Sequence, residues 1–285
     1  MSGAGASEPP LGPGPFVISV QSQVAHGAVG NSAALFPMQA LGARVVAIPT
    51  VLLSNHPRYP SARGRVLDPQ LVADLLLGLE ERGLVEAARV LLTGYLGSAE
   101  IGAVVADFVE RARERNPALL YLCDPVIGDD GPGVFVDGRL VELFRRRLVP
   151  LCGLATPNQF ELEILADAPA RTLADAERAA ARVMAQGPDR LVVTGAALAQ
   201  TPQGEIETIV FGAGEALRVS TPRLPLRPNG AGDLFAGLLA ARLARGEPLA
   251  EAARLSALGV SRALARSFAE NAYELRFDLS DLSPA

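Results

Sequence analysis

Short runs of β-branched and aliphatic residues alternate along most of this 285-residue chain with longer amphipathic or Ala/Leu-rich stretches. A strand lying parallel to its predecessor needs a crossover long enough for a helix, so the alternation restricts the chain to a mostly parallel sheet covered by helices. Strands are predicted over 16–20, 44–51, 89–93, 119–123, 153–155 and 190–194, with helices over 31–41, 68–81, 98–113, 159–166 and 173–185 between them. The pattern then changes. Segments 205–210 and 216–220 read as a hairpin, and 230–244 and 249–265 as two long helices. No repeat or linker divides the chain, which predicts one domain over 16–285 behind a flexible Gly-, Pro- and Ser-bearing tail over 1–15.

Composition narrows the function. With 49% hydrophobic and 20% charged residues the chain can bury a large core. A formal net charge of -5 argues against a nucleic-acid surface, and Arg145, Arg146 and Arg147 read as the solvated end of a helix. There is neither an 18-residue apolar span nor a basic and apolar leader, so a cytoplasmic protein without membrane contact is expected. Cys123 and Cys152 lack metal-ligand or CxxC spacing and read as small buried hydrophobes of a reducing compartment. Lysine is absent, so all 26 basic residues are arginine. That excludes both a Walker A lysine and a lysine Schiff base.

Gly230-Ala231-Gly232-Asp233 runs directly into the apolar stretch 234–239. Main-chain N–H groups at a helix start have no intrahelical partner and carry the positive end of the macrodipole, so glycines there admit a phosphoryl group. Asp233 is placed to take the attacking hydroxyl's proton. In open α/β sheets ligands collect beyond the carboxyl ends of the strands. Polar clusters at those ends begin at Gln21-Ser22-Gln23, Ser54-Asn55-His56-Pro57-Arg58, Gly94-Tyr95, Asp124-Pro125 and Thr156-Pro157-Asn158, the last leading to Glu161. The carboxylates of Asp124 and Glu161 suit a hard cation such as magnesium. Neither histidine, His26 or His56, has an apparent carboxylate partner, and His56 reads as shaping its loop.

The segments 17–31 (VISVQSQVAHGAVGN), 50–59 (TVLLSNHPRY), 94–97 (GYLG), 124–136 (DPVIGDDGPGVFV), 156–165 (TPNQFELEIL) and 230–235 (GAGDLF) resemble, in order, those of the vitamin B6 kinases of the ribokinase-like superfamily. The resemblance runs nearly end to end. It implies a ribokinase-like fold, a central mostly parallel sheet with helices on both faces, and ATP-dependent phosphorylation of the 5'-hydroxymethyl group of pyridoxal, pyridoxine and pyridoxamine. Hydroxymethylpyrimidine kinase is the alternative activity, and a catalytically silent B6-binding protein the alternative of another class. The wording of 22–24 and 50–55 looks more like the kinases of broad vitamer range than the pyridoxal-only type.

Carried over by residue, the resemblance implies that Ser22 and Tyr95 meet the pyridine ring and that Asp233 is the general base. Gly230, Ala231 and Gly232 would form an anion hole, each well-aimed donor contributing about 3 kcal/mol. Asp124 and Glu161 would hold magnesium directly or through water. Thr156, Asn158 and Thr194 would lie near the ATP phosphates or a monovalent cation, potassium being implied, with Asn158 also capping the next helix. Three positions depart from the pattern: Ala231 for threonine, Phe135 for a nucleotide-contacting tyrosine, and Arg58 for a histidine near the substrate. An apolar role is left to Phe135, and Arg58 is either a ligand contact or surface. A homodimer is also implied.

Overall fold

The computed structural model describes residues 14–212, 216–226 and 228–282, so nearly all of the expected tail lies outside the described residues. The strands are β1 (Phe16–Val24), β2 (Arg44–Leu53), β3 (Gly64–Val66), β4 (Val90–Thr93), β5 (Leu120–Cys123), β6 (Gly128–Asp129), β7 (Gly133–Val134), β8 (Leu154–Ala155), β9 (Arg190–Ala196), β10 (Glu205–Phe211) and β11 (Leu217–Pro222). Nine of them form one sheet in the order β11-β10-β9-β8-β5-β4-β1-β2-β3, while β6 and β7 form a separate small hairpin. From β2 to β9 every neighbouring pair in that order is parallel, and the edge pairs β2/β3, β9/β10 and β10/β11 are antiparallel. The crossover direction reverses at β1, between β2 and β4. A crevice therefore opens beyond the carboxyl ends of β1 and β4.

The helices are α1 (Asn31–Ala40), α2 (Pro69–Glu81), α3 (Leu84–Ala87), α4 (Ala99–Arg115), α5 (Gly138–Leu143), α6 (Val149–Leu151), α7 (Gln159–Ala166), α8 (Leu173–Met184), α9 (Ala231–Ala244), α10 (Leu249–Ala269) and α11 (Leu279–Leu282). Successive strand side chains point to opposite faces. On β1, Phe16, Ile18 and Val20 enter the core with Leu76 of α2 and Phe108 of α4, whereas Val17 enters the core with Met38 of α1 and Leu239 of α9. Both faces of the parallel strands are thus covered, which is why they read as continuous apolar runs.

Three features differ from the sequence reading. The first strand extends to Val24 because Ser19 and Gln21 stay buried within it, hydrogen-bonded to each other and to Asn31. The edge strand β3 and the β6/β7 hairpin are too short for any periodicity, and β3 is exposed along its length. Arg145, Arg146 and Arg147 lie not at a helix end but inside a π-turn joining α5 to α6. There they pair with Glu142, Asp107 and Glu110, so they are a solvated ion-paired face.

Candidate active site

The site is organised by the start of α9. Gly230 caps the helix with φ +91°, and a side chain there would place its Cβ 1.6 Å from the Ala28 carbonyl oxygen, so only glycine fits. Behind it the helix is buried on every face, lying on α1, α10 and the sheet. This fixes where the N–H groups of Ala231 and Gly232 begin. Asp233 is the third helical residue, in the first turn, where the macrodipole favours a negative charge. Its carboxyl is pushed upward by burial, opposed by the nearby main-chain N–H of Gly30, which favours the ionised form.

Asp124 follows β5 and is buried, with Oδ1 accepting a 3.0 Å hydrogen bond from the Thr156 hydroxyl. Burial, and then the nearby Asp233 charge, push its carboxyl up to about 8, with the Thr156 hydroxyl opposing them. Asn158 caps α7. Its side-chain oxygen accepts from the Glu161 N–H at 2.9 Å, Glu161 Oε2 accepts from the Asn158 N–H at 2.9 Å, and the Asn158 amide donates to the Gly128 carbonyl at 2.8 Å. Glu161 Oε1 meanwhile accepts from the N–H groups of Ile127 and Gly128 at 2.9 and 3.3 Å. Burial and the Asp124 charge nevertheless raise the Glu161 carboxyl well above the ordinary range.

These bonds bear on the expected magnesium. Among the described residues no group of three or more His, Cys, Asp or Glu side chains forms a metal cage. Magnesium needs none, since it retains waters and takes one or two carboxylates together with substrate phosphates. Asp124, with one oxygen bonded to Thr156, fits that part. Glu161 already orients three main-chain donors with its two oxygens, which suits contact through water and not direct ligation.

Every site residue expected from the sequence lines one cavity of about 1050 Å³. Ser22 and Tyr95 stand at the carboxyl ends of β1 and β4, on the two sides of the crevice, and Thr50 holds the Tyr95 carbonyl at 2.7 Å. Phe135 is 51% exposed at the wall, an uncovered aromatic face, and Thr194 is tied through its N–H to the Pro157 carbonyl beside the Thr156 loop. Arg58 lines the cavity from an exposed loop. His56 Nδ1 accepts from both the Arg58 N–H and the Asn229 amide, at 3.1 and 3.2 Å, so that nitrogen carries no proton. Burial, then the Arg58 charge, lower its pKa, with Glu274 opposing, and the ring shapes the loop as expected.

Sequence reasoning missed an apolar wall formed by Ala257, Val260 and Leu264 of α10 with Pro222, Leu224 and Leu226. The stretch 222–228, with proline at every third position (Pro222, Pro225, Pro228) between a hairpin and a glycine-rich helix start, was the available signal. The seating of Gly230 on the Ala28 carbonyl was also missed, since a main-chain contact leaves no trace in side-chain chemistry.

Residues 26–276 match the sequence profile of the phosphomethylpyrimidine kinase family. Pyridoxal kinase PdxY of Rubrobacter xylanophilus is 42% identical over 93% of this chain and 92% of its own length. The chain belongs to the vitamin B6 kinase family. A pyridoxine/pyridoxal/pyridoxamine kinase of Bordetella avium is 39% identical to this B6 kinase family member over 94% of this chain and 91% of its own. Among solved structures, the pyridoxal kinase of Leishmania donovani in complex with ADP and pyridoxine superposes with a TM-score of 0.83 at 33% identity, covering 92% of both chains. The ribokinase-like architecture expected from the motifs is therefore the fold adopted.

Proposed function

We propose that this chain transfers the γ-phosphoryl group of ATP to the 5'-hydroxyl of pyridoxal, pyridoxine and pyridoxamine, yielding ADP and the vitamer 5'-phosphate. The observation that carries this reading is Asp233 in the first turn of α9, beside the N–H groups of Gly230 to Gly232, in one cavity with Ser22 and Tyr95 on one side and Asp124 on the other. Relatives of similar length named for these vitamers support the substrate class. The match to the phosphomethylpyrimidine kinase profile keeps hydroxymethylpyrimidine, another hydroxymethyl heteroaromatic, as the competing substrate.

In this reading the vitamer ring lies against Tyr95 with Ser22 at its polar edge and Arg58 near a ring substituent. Asp233, made more basic by burial with the Gly30 N–H opposing, takes the proton of the 5'-hydroxyl as its oxygen bonds to the γ-phosphorus. The bond from phosphorus to the bridging oxygen breaks and its electron pair leaves with ADP. Main-chain donors of Gly230, Ala231 and Gly232 hold the phosphoryl oxygens where charge moves, a part that matters more in a chain without lysine. Magnesium, held by Asp124 and through water by Glu161, would supply charge neutralisation for the phosphates. Thr156, Asn158 and Thr194 line the phosphate end, with potassium as the monovalent cation, and Phe135 covers part of the nucleotide through apolar contact. A cytoplasmic location and, as the resemblance implies, a homodimer complete the reading; among the described residues no helix is long and apolar enough to cross a membrane.

The test is Asp233→Asn, which keeps size and first-turn position while removing the base. It is expected to lower kcat by roughly 10²-fold or more with vitamer binding kept. A variant turning over pyridoxal at the parent rate would refute the base assignment.

A further inference from the structure

Asn31 is the first residue of α1, yet its side chain caps nothing. It is fully buried and turned into the sheet, where its oxygen accepts from the Ser19 hydroxyl at 2.8 Å and its amide donates to the carbonyls of Gln21 and Ile48 at 3.2 and 3.4 Å. Carbonyls only accept, so the amide orientation is fixed. Gln21 Nε2 in turn donates to the Ser19 hydroxyl at 2.8 Å. On the other side, Ser32 bonds both the N–H and the carbonyl of Val24 at 3.1 and 2.7 Å. Gly30, the preceding residue, is thereby pinned to β1. It lies so close to Ser22 that a Cβ would sit 2.1 Å from the Ser22 carbonyl oxygen. The segment that Gly30 ends lies, through the Ala28 carbonyl, directly against Gly230 at the start of α9.

A buried amide costs stability unless it is fully bonded, and a helix start can be capped more cheaply at the surface. The position of Asn31 needs a reason beyond packing. We infer that Asn31 is a positioning residue for phosphoryl transfer: anchored to β1 and β2, it holds the 28–30 segment on which the α9 start is seated, and so sets where the Asp233 carboxylate meets the substrate hydroxyl. The same anchor sets the spacing between Ser22, on the substrate side, and the α9 start, because the Ala28 carbonyl two residues before Gly30 packs against Gly230. The inference rests on Asp233 acting as the base, proposed above.

The test is a double-mutant cycle. Asn31→Ser and the milder Ser19→Ala are made alone and with Asp233→Asn, and kcat, both KM values and Tm are measured with pyridoxal and Mg-ATP. A misplaced base can cost as much as 10²-fold, so Asn31→Ser is expected to lower kcat at least ~10-fold and Ser19→Ala ~3-fold, with both KM values within ~3-fold. In the Asp233→Asn background, where no base remains to be aimed, the further loss is expected to shrink below ~2-fold. A merely structural residue would lower Tm and give the same fold-loss in both backgrounds, and that result overturns the inference. If Asn31→Ser does not fold, Ser19→Ala decides by the same criterion. A parent-like kcat for Asp233→Asn alone overturns the base assignment and this inference together, whereas a slow Asp233→Asn with additive losses overturns only the role of Asn31.

Discussion

At the scale of single residues, Asp124 and Glu161 share burial and an acidic neighbourhood but differ in what their oxygens touch. Glu161 accepts three main-chain N–H groups, whereas Asp124 takes a side-chain hydroxyl on one oxygen. Removing Asp124 leaves the surrounding backbone paired, while removing Glu161 orphans donors at about 1–3 kcal/mol each. Asp124→Ala is therefore expected to weaken the magnesium dependence of ATP use with a small change in Tm, and Glu161→Ala to lower Tm markedly as well. Magnesium titrations at fixed ATP, paired with thermal unfolding, check this. An unchanged titration for Asp124→Ala would remove it from the metal site.

At the scale of elements, the α9 start depends on its contact with the segment between β1 and α1. Gly230→Ala introduces a Cβ at 1.6 Å from the Ala28 oxygen in a left-handed conformation, which requires α9 to shift. Strain of this kind together with overpacking costs roughly 1–3 kcal/mol each, so both Tm and kcat are expected to fall. Parent-like values for both would show that the two segments are not in firm contact. The helices 159–166 and 230–244 were legible in the sequence because each carries its own start signal, an Asn with Glu three residues on in one and a Gly run before a continuous apolar stretch in the other. The parallel strands were legible because burial on both faces leaves no polar alternation. The motif residues of the cavity could be named from their order along the chain, whereas Asn31 and Gly30 could not, since their parts lie in which carbonyls and carboxylates come near after folding. The end of β1 was misjudged for the same reason: the polar run from Gln21 reads as leaving the strand until Asn31 and Ser19 satisfy Gln21.

At the scale of the whole molecule, the buried carboxyl groups of Asp124 and Glu161 and the half-buried one of Asp233, around one cavity, couple stability to pH. A carboxyl in the unfolded chain ionises near pH 4, whereas Asp124 does so at about 8, with Glu161 and Asp233 also displaced upward. Across that window the folded state holds protons the unfolded state has lost, so these groups withdraw stability from the ligand-free protein as pH rises from about 4 to about 8. Tm measured over this range is expected to fall less steeply with rising pH in Asp124→Asn than in the parent, and equal slopes would contradict the shift. The central claim concerns chemistry and substrate together. Its most direct test is steady-state kinetics with pyridoxal, pyridoxine, pyridoxamine and hydroxymethylpyrimidine under identical Mg-ATP conditions. The account predicts ATP-dependent 5'-phosphorylation of the vitamers with kcat/KM at least ~10-fold above that for hydroxymethylpyrimidine. A higher kcat/KM for hydroxymethylpyrimidine, or no turnover of any vitamer, would contradict it.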